Sequence, residues 1–313
     1  MKNGIKKGLE SNKFSENASD LVKDVGKFTT NVSNKAKVVI NNTKESIING
    51  IDENGDGQID IEDIIIKGLR VPGIRINRSD FLQNELYKNY SQDVIDDAIA
   101  NNPAHAKIPS EEIDKIAEEV IKFERNCVSG ISAALGMPGG FCMAATIPAD
   151  IIQYYAYMLR VTQKLLYLYG FPEIDTTEKG HKFDSETMNI LIICFGVMYG
   201  AAGANNALKS IAKALANGVE KKLLRAALTK GTIYPIVKNI ASWFGKKMTK
   251  QVFADFFKKT IPIVGGAVGG GITYFSFKPC CYKLKSSLQD TLLSNPNHNT
   301  ANEDCMFAIE DIE

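Results

Sequence analysis

Residues 125–172 read RNCVSGISAALGMPGGFCMAATIPADIIQYYAYMLRVTQKLLYLYGFP, and this stretch decides the fold. Between Arg125 and Asp150 no residue is charged, and Gly130, Gly136, Gly139 and Gly140 lie among small Ala and Ser side chains. Residues that small let helix backbones approach closely. Pro138-Gly139-Gly140 interrupts the run, because proline removes a donor from the helix ladder and glycine loosens it. The spacing predicts a broken helical hairpin. Pro148 suits the first turn of its second arm, and Gly170 ahead of Pro172 suits the end of that arm.

At about 100° per residue, the second arm lines up Asp150, Gln153, Tyr157, Arg160 and Lys164 on one narrow stripe. Ile151, Ile152, Tyr155, Leu159, Leu166 and Leu168 cover the rest, so the helix is largely buried. The stripe has two readings: a polar seam lining a ligand groove, or internally satisfied polar groups with one wet edge. The second is the commoner use of buried polar groups.

Four phrases in fixed order carry a resemblance: GMPGGFCMAATIPADIIQYYAYMLRVTQKLLYLYGFPEI, FGVMYGAAGANNALKSIAKALANGVEKKL, ALTKGTIYPIVKNIASW and IPIVGGAVGGGITYFSFKP. Over Val71 to Leu288 the chain resembles the EcsC family of bacterial proteins, named for a protein encoded beside an ABC transporter. The resemblance implies a helical fold and supplies no catalytic residues.

The 313 residues can bury a sizeable core. Net charge is +1, but its distribution is uneven. Residues 51–125 hold 9 Lys and Arg against 17 Asp and Glu, whereas 207–259 hold 12 against 2. The six cysteines (127, 142, 194, 280, 281 and 305) form no CxxC pair, which points to neither a zinc site nor a disulfide scaffold and fits a reducing cytoplasm. The basic N-terminus lacks the apolar core of a secretory signal.

The chain divides into an amphipathic arm (1–50), an EF-hand-like helix-loop segment (51–70), an EcsC-like helical domain (71–293) and an acidic tail (294–313). The arm spaces Leu21, Val22, Val25 and Phe28, then Val38, Val39, Ile40, Ile47 and Ile48, at helical intervals. Such helices dock on a domain or lie on an anionic surface.

The sharpest chemical signal is DENGDGQIDIED over 52–63. Aligned with an EF-hand loop, Asp52, Asn54 and Asp56 take the first three ligand positions, Gly57 the sharp turn, Gln58 the carbonyl position, Asp60 the ninth position and Asp63 the twelfth. All are oxygen donors, which suit a hard divalent cation, calcium or magnesium. Asp63 departs from the usual glutamate and is one methylene shorter, which weakens calcium binding or favours magnesium. A surface turn with no ion is the competing reading, since Asp, Asn and Gly favour turns anyway. With no second loop in the chain, Ile59 is left to pack on the main domain or to pair between chains.

Helices are predicted over FLQNELYKNY after Arg78-Ser79-Asp80, over QDVIDDAIA ending at Asn101-Asn102-Pro103, and from an N-cap at Ser110. Asp184 caps a helix running through SETMNILIICFGVMYGAAGANNAL, uncharged from Thr187 to Leu208 and near the ~20 residues that span a bilayer. Its glycines and asparagines favour a buried core helix instead. Residues 261–277, IPIVGGAVGGGITYFSF, are again uncharged and match no phosphate-binding loop. Pro279 opens a last short helix to about Leu293.

The basic block offers a membrane-facing set, Lys209, Lys213, Lys221, Lys222 and Arg225 on an amphipathic helix, then Trp243, Lys246 and Lys247, with an ordinary solvated helical face as the competing reading. No nucleic-acid-reading motif accompanies the charge. His105, His181 and His298 fall in loop-like stretches without a nucleophile or metal partner in sequence.

Together these features predict an all-α bundle with glycine-rich, broken apolar hairpins. The expected function is non-catalytic: a peripheral protein on the inner, cytoplasmic face of the membrane that meets anionic membrane or lipid and binds calcium at 52–63. The alternatives are a soluble cytoplasmic calcium-binding protein with a protein partner or self-association, and an enzyme using the Asp150, Gln153 and Arg160 seam. No nucleic-acid partner is expected.

Overall fold

Three long helices organise the chain: α4 (Ser110–Gly136), α5 (Met143–Leu168) and α10 (Gly265–Gln289), each packed against the other two. The computed structural model describes residues 50–53, 55–136, 143–177, 183–219, 221–245 and 265–295, and it is helical, with no strand among them. The all-α class follows from the sequence pattern. Apolar residues recur at 3.6-residue spacing, and alternation of period two is missing.

The N-terminal helices cover one side of this core. α1 (Ile61–Arg70) packs on α5, where Gly68 faces Ala156 and Leu159. α2 (Arg78–Leu86) starts at the Asn77 side chain, which accepts from Asp80 N–H, and pairs with α3 (Gln92–Ala100). Arg78 is buried and donates to the carbonyls of Ala98, Ile99, Asn101 and Phe171. A cation there meets the negative end of α3.

The remaining helices are α6 (Ser185–Tyr199), which touches α1 as well as the core, α7 (Ala204–Ala216), α8 (Lys221–Thr229) and α9 (residues 234–245). The side chain of Asp184 caps α6 by accepting from Glu186 N–H at 3.0 Å, as expected. α6 is buried almost all round, and Phe195, Tyr199 and Phe244 of α9 meet ring to ring.

Several boundaries differ from expectation for identifiable reasons. Gly200 and Gly203 adopt left-handed φ values of +76° and +81°, so the uncharged stretch from Thr187 splits into α6 and α7. At 15 residues, α6 is about 22 Å long, short of a ~30 Å hydrocarbon core. No described helix is long and apolar enough to cross a membrane. The basic stretch after Lys209 divides at Gly218 (φ +69°) into α7 and α8 instead of forming one helix.

Two prolines also sit deeper than expected. α5 begins at Met143, five residues before Pro148, so that proline lies past the first turn. α10 runs straight through Pro279. Pro279 leaves the Phe275 carbonyl without its helix donor, and packing of α10 against α4 and α5 carries the helix through. Ser110 is the first helical residue, not the cap. The Pro109 carbonyl accepts from Glu112 and Ile113.

The 1–49 part of the N-terminal arm, the Pro138-Gly139-Gly140 break and the tail from 296 lie outside the described residues.

Candidate functional site

Beginning with the acidic loop, its backbone turns on two glycines in the left-handed region, Gly55 (φ +77°) and Gly57 (φ +78°), where a side chain would be strained. The Asp52 carboxylate is drawn inward and accepts Gly55 N–H at 2.7 Å and Gly57 N–H at 2.8 Å. Asp56 accepts Gln58 N–H at 2.8 Å. The loop then enters α1 through a capping box, with Asp63 N–H donating to Asp60 at 2.9 Å and Asp60 N–H to Asp63 at 3.0 Å. The second Asp63 oxygen accepts Glu53 N–H at 3.0 Å, closing the loop on itself.

Asp63 is 2% exposed, and burial pushes its carboxyl up to about 6. Burial raises Asp60 as well. Glu53 points the other way, pairing with Lys67 and Arg70, and the Arg70 hydrogen bond holds its carboxyl below the usual range. Glu53 therefore ties the loop to α1 and is not part of the ligand set. Ile51 and Ile59 are both buried, so Ile59 packs within its own chain.

The six expected ligand positions are thus brought into one loop, apart from Asn54, which lies outside the described residues. Among the described residues, no three or more His, Cys, Asp or Glu side chains are gathered at metal-holding distance. The carboxylates instead turn to nearby backbone N–H groups, as mutually repelling anions do where backbone donors are within reach.

The polar stripe of α5 meets a partner that sequence reading passed over. Glu124 of α4 is fully buried and accepts a hydrogen bond from Lys164 Nζ at 2.7 Å, while Arg160 Nε lies at ion-pair distance, 3.1 Å, from the same oxygen without hydrogen-bonding to it. Its other oxygen is buried without a partner. Lys164 also lies over the rings of Phe81 and Phe123, and Arg160 over that of Tyr157. Gln153 and Tyr157 are half-buried, and the Asp150 side chain lies outside the described residues. Lys164 and Arg160 are therefore tied to α4 rather than projecting into a groove. Gln163, one position off the stripe, bonds the 74–76 segment through Ile74 carbonyl and Ile76 N–H. Glu124, one of five Glu in an ordinary amphipathic helix, gave no sign of this role.

The basic block is divided among α7, α8 and α9. Lys209 pairs with Asp290, and Arg225 with Asp184 at 2.8 Å. Lys213 and Trp243 are half-buried and Lys222 is exposed, while the side chains of Lys221, Lys246 and Lys247 lie outside the described residues. Phe244, next to Trp243, is fully buried against Phe195 and Tyr199. Among the described residues, the exposed large apolar side chains lie elsewhere: Tyr274 and Phe275 on α10, Phe123 on α4, and Tyr87 after α2. The Arg125 guanidinium sits 3.9 Å over the Tyr274 ring.

His105 is exposed, 3.0 Å from Asp97. The described cysteines 127, 194, 280 and 281 are all free thiols.

Compared with protein-family models, curated proteins and solved structures, the chain matches none.

Proposed function

We propose that this chain is a non-catalytic helical protein of the EcsC type that works at the cytoplasmic, anionic face of a membrane and binds lipid there. In this reading the 52–63 loop holds a divalent cation, calcium ahead of magnesium. The observation that carries it is the inward-held Asp52 carboxylate, bonded to Gly55 and Gly57 N–H inside a stretch whose oxygen donors follow the EF-type order. An ion would draw Asp56 and Asp60 onto the same centre and offset their mutual repulsion. Asp63 leads from the loop into α1, and α1 packs on α5 through Gly68, so occupancy would reach the core by direct contact.

The membrane part is supported by Tyr274 and Phe275, exposed on α10 beside Arg125 and followed by Lys278 over the Tyr282 ring. Rings with a cation alongside suit a headgroup layer. The family part rests on the four sequence phrases alone.

Co-sedimentation with vesicles of phosphatidylcholine and phosphatidylglycerol, at low and high salt and with or without calcium, tests the reading. Binding at low salt that weakens at high salt and shifts with calcium is expected. Protein left in the supernatant at low salt under both conditions removes the membrane part. If calcium still binds, a soluble calcium-binding interaction protein takes its place.

A further inference from the structure

A cavity of about 210 Å³ lies where the start of α4 meets the ends of α5 and α10. That is room for several waters, or for a short alkyl chain with one polar head. Its polar end is Asp114, whose two oxygens accept the Tyr169 hydroxyl at 2.7 Å and the Gln289 amide at 2.5 Å. Ile108, Ile113 and Leu293 supply apolar wall.

The charges around this cavity do not balance. Near Asp114 on α4, Lys115 is paired with Glu112, and Glu118 with Lys285. Among the described residues, Asp114 is met only by neutral donors. A half-buried carboxylate held in place by two side chains, with no cation of its own, favours a ligand that brings one. The orientation is fixed in advance. Gln289 and Tyr169 hold the carboxylate, and Gly170, with φ +95°, brings the chain against Leu293 at the edge of the cavity. A negative head beside an apolar wall of this volume selects against anions, and a bare metal ion would leave the wall unfilled.

We propose that this cavity binds a small organic ammonium ion, its charged head on Asp114 and its alkyl part against Ile108, Ile113 and Leu293. The site is independent of the acidic loop and of any membrane surface.

Calorimetry and ligand-observed NMR on the full chain, with n-butylammonium, n-butanol and butyrate as probes, test it. One saturable site for butylammonium in the millimolar range is expected, with butanol at least about tenfold weaker and butyrate silent. Asp114→Asn, nearly isosteric, should weaken butylammonium about tenfold or more, because it removes the charge but keeps the shape. Ala104→Leu, which fills the cavity from the loop side, should abolish binding and serves if Asp114→Asn does not fold. No saturable butylammonium binding, equal binding of butanol, or unchanged affinity in either folded variant would overturn the proposal.

Discussion

The Asp63 carboxylate reaches back ten residues to accept the Glu53 backbone N–H at 3.0 Å, while its other oxygen accepts Asp60 N–H. One buried side chain thus closes the acidic loop and caps α1. Removing it strands two backbone donors. Asp63→Ala should therefore cost about 2 kcal/mol, the usual penalty for leaving a buried donor unmet plus a lost cap. Urea unfolding measures this, and hydrogen exchange at Glu53 and Asp60 should rise first. An unchanged midpoint would mean the loop closes by other contacts.

Glu124 holds Lys164 and Arg160 on one oxygen at zero exposure. Breaking a buried pair from one side leaves an uncompensated charge, so Lys164→Met should destabilise by about 3 kcal/mol or more. Adding Glu124→Gln to that variant should recover part of the loss, and the double-mutant cycle should return a coupling of at least about 1 kcal/mol. Additive effects would show that Lys164 and Glu124 do not depend on each other.

A Cβ built on Gly196 would stand 2.8 Å from Ala204 Cβ and 3.0 Å from Ile240 Cγ2. Neither atom is the end of a long flexible chain, so α6 must shift. Gly196→Ala should cost about 1–3 kcal/mol despite alanine's better helix propensity. Thermal melting checks the sign, and a stabilised variant would contradict the close packing of α6 on α7 and α9.

Burial raises Tyr154, Tyr167 and Tyr199, with Tyr167 pushed up to about 12. Unfolded tyrosine ionises near pH 10, so between about 10 and 12 the unfolded chain releases protons that the folded chain keeps. The contribution from Tyr167 is whole below about pH 10 and is lost as pH rises through 12. Denaturation midpoints should fall across that window, with phenolate absorbance lagging behind that of unfolded protein. Coincident titration of folded and unfolded chains would contradict the burial of these rings.

Much of the local structure was legible because single residues decide it. Pro103 ends α3 by steric conflict with the residue before it, Asp184 caps α6, and Gly170 ends α5 with a left-handed turn. The split at Gly200 and Gly203 was not legible, since a glycine inside an apolar run signals close packing and a positive φ equally well. Pro279 misled for a different reason: the packing of α10 on α4 and α5 overrides the local cost of a proline inside a helix. The partners of Lys164, Arg160 and Arg78 come from distant helices, and no local periodicity reports a tertiary ion pair. The glycine turns of the acidic loop were foreseeable from its Asp, Asn and Gly spacing, whereas the Asp114 cavity needs three helix ends to meet.

Isothermal titration of the full chain with calcium, and then with magnesium, tests the central claim most directly. The account predicts one divalent site per chain, with heat lost in Asp52→Ala and Asp56→Ala and kept in Lys209→Ala. Absence of a saturable signal at millimolar calcium and magnesium, or wild-type binding by both loop variants, would contradict it.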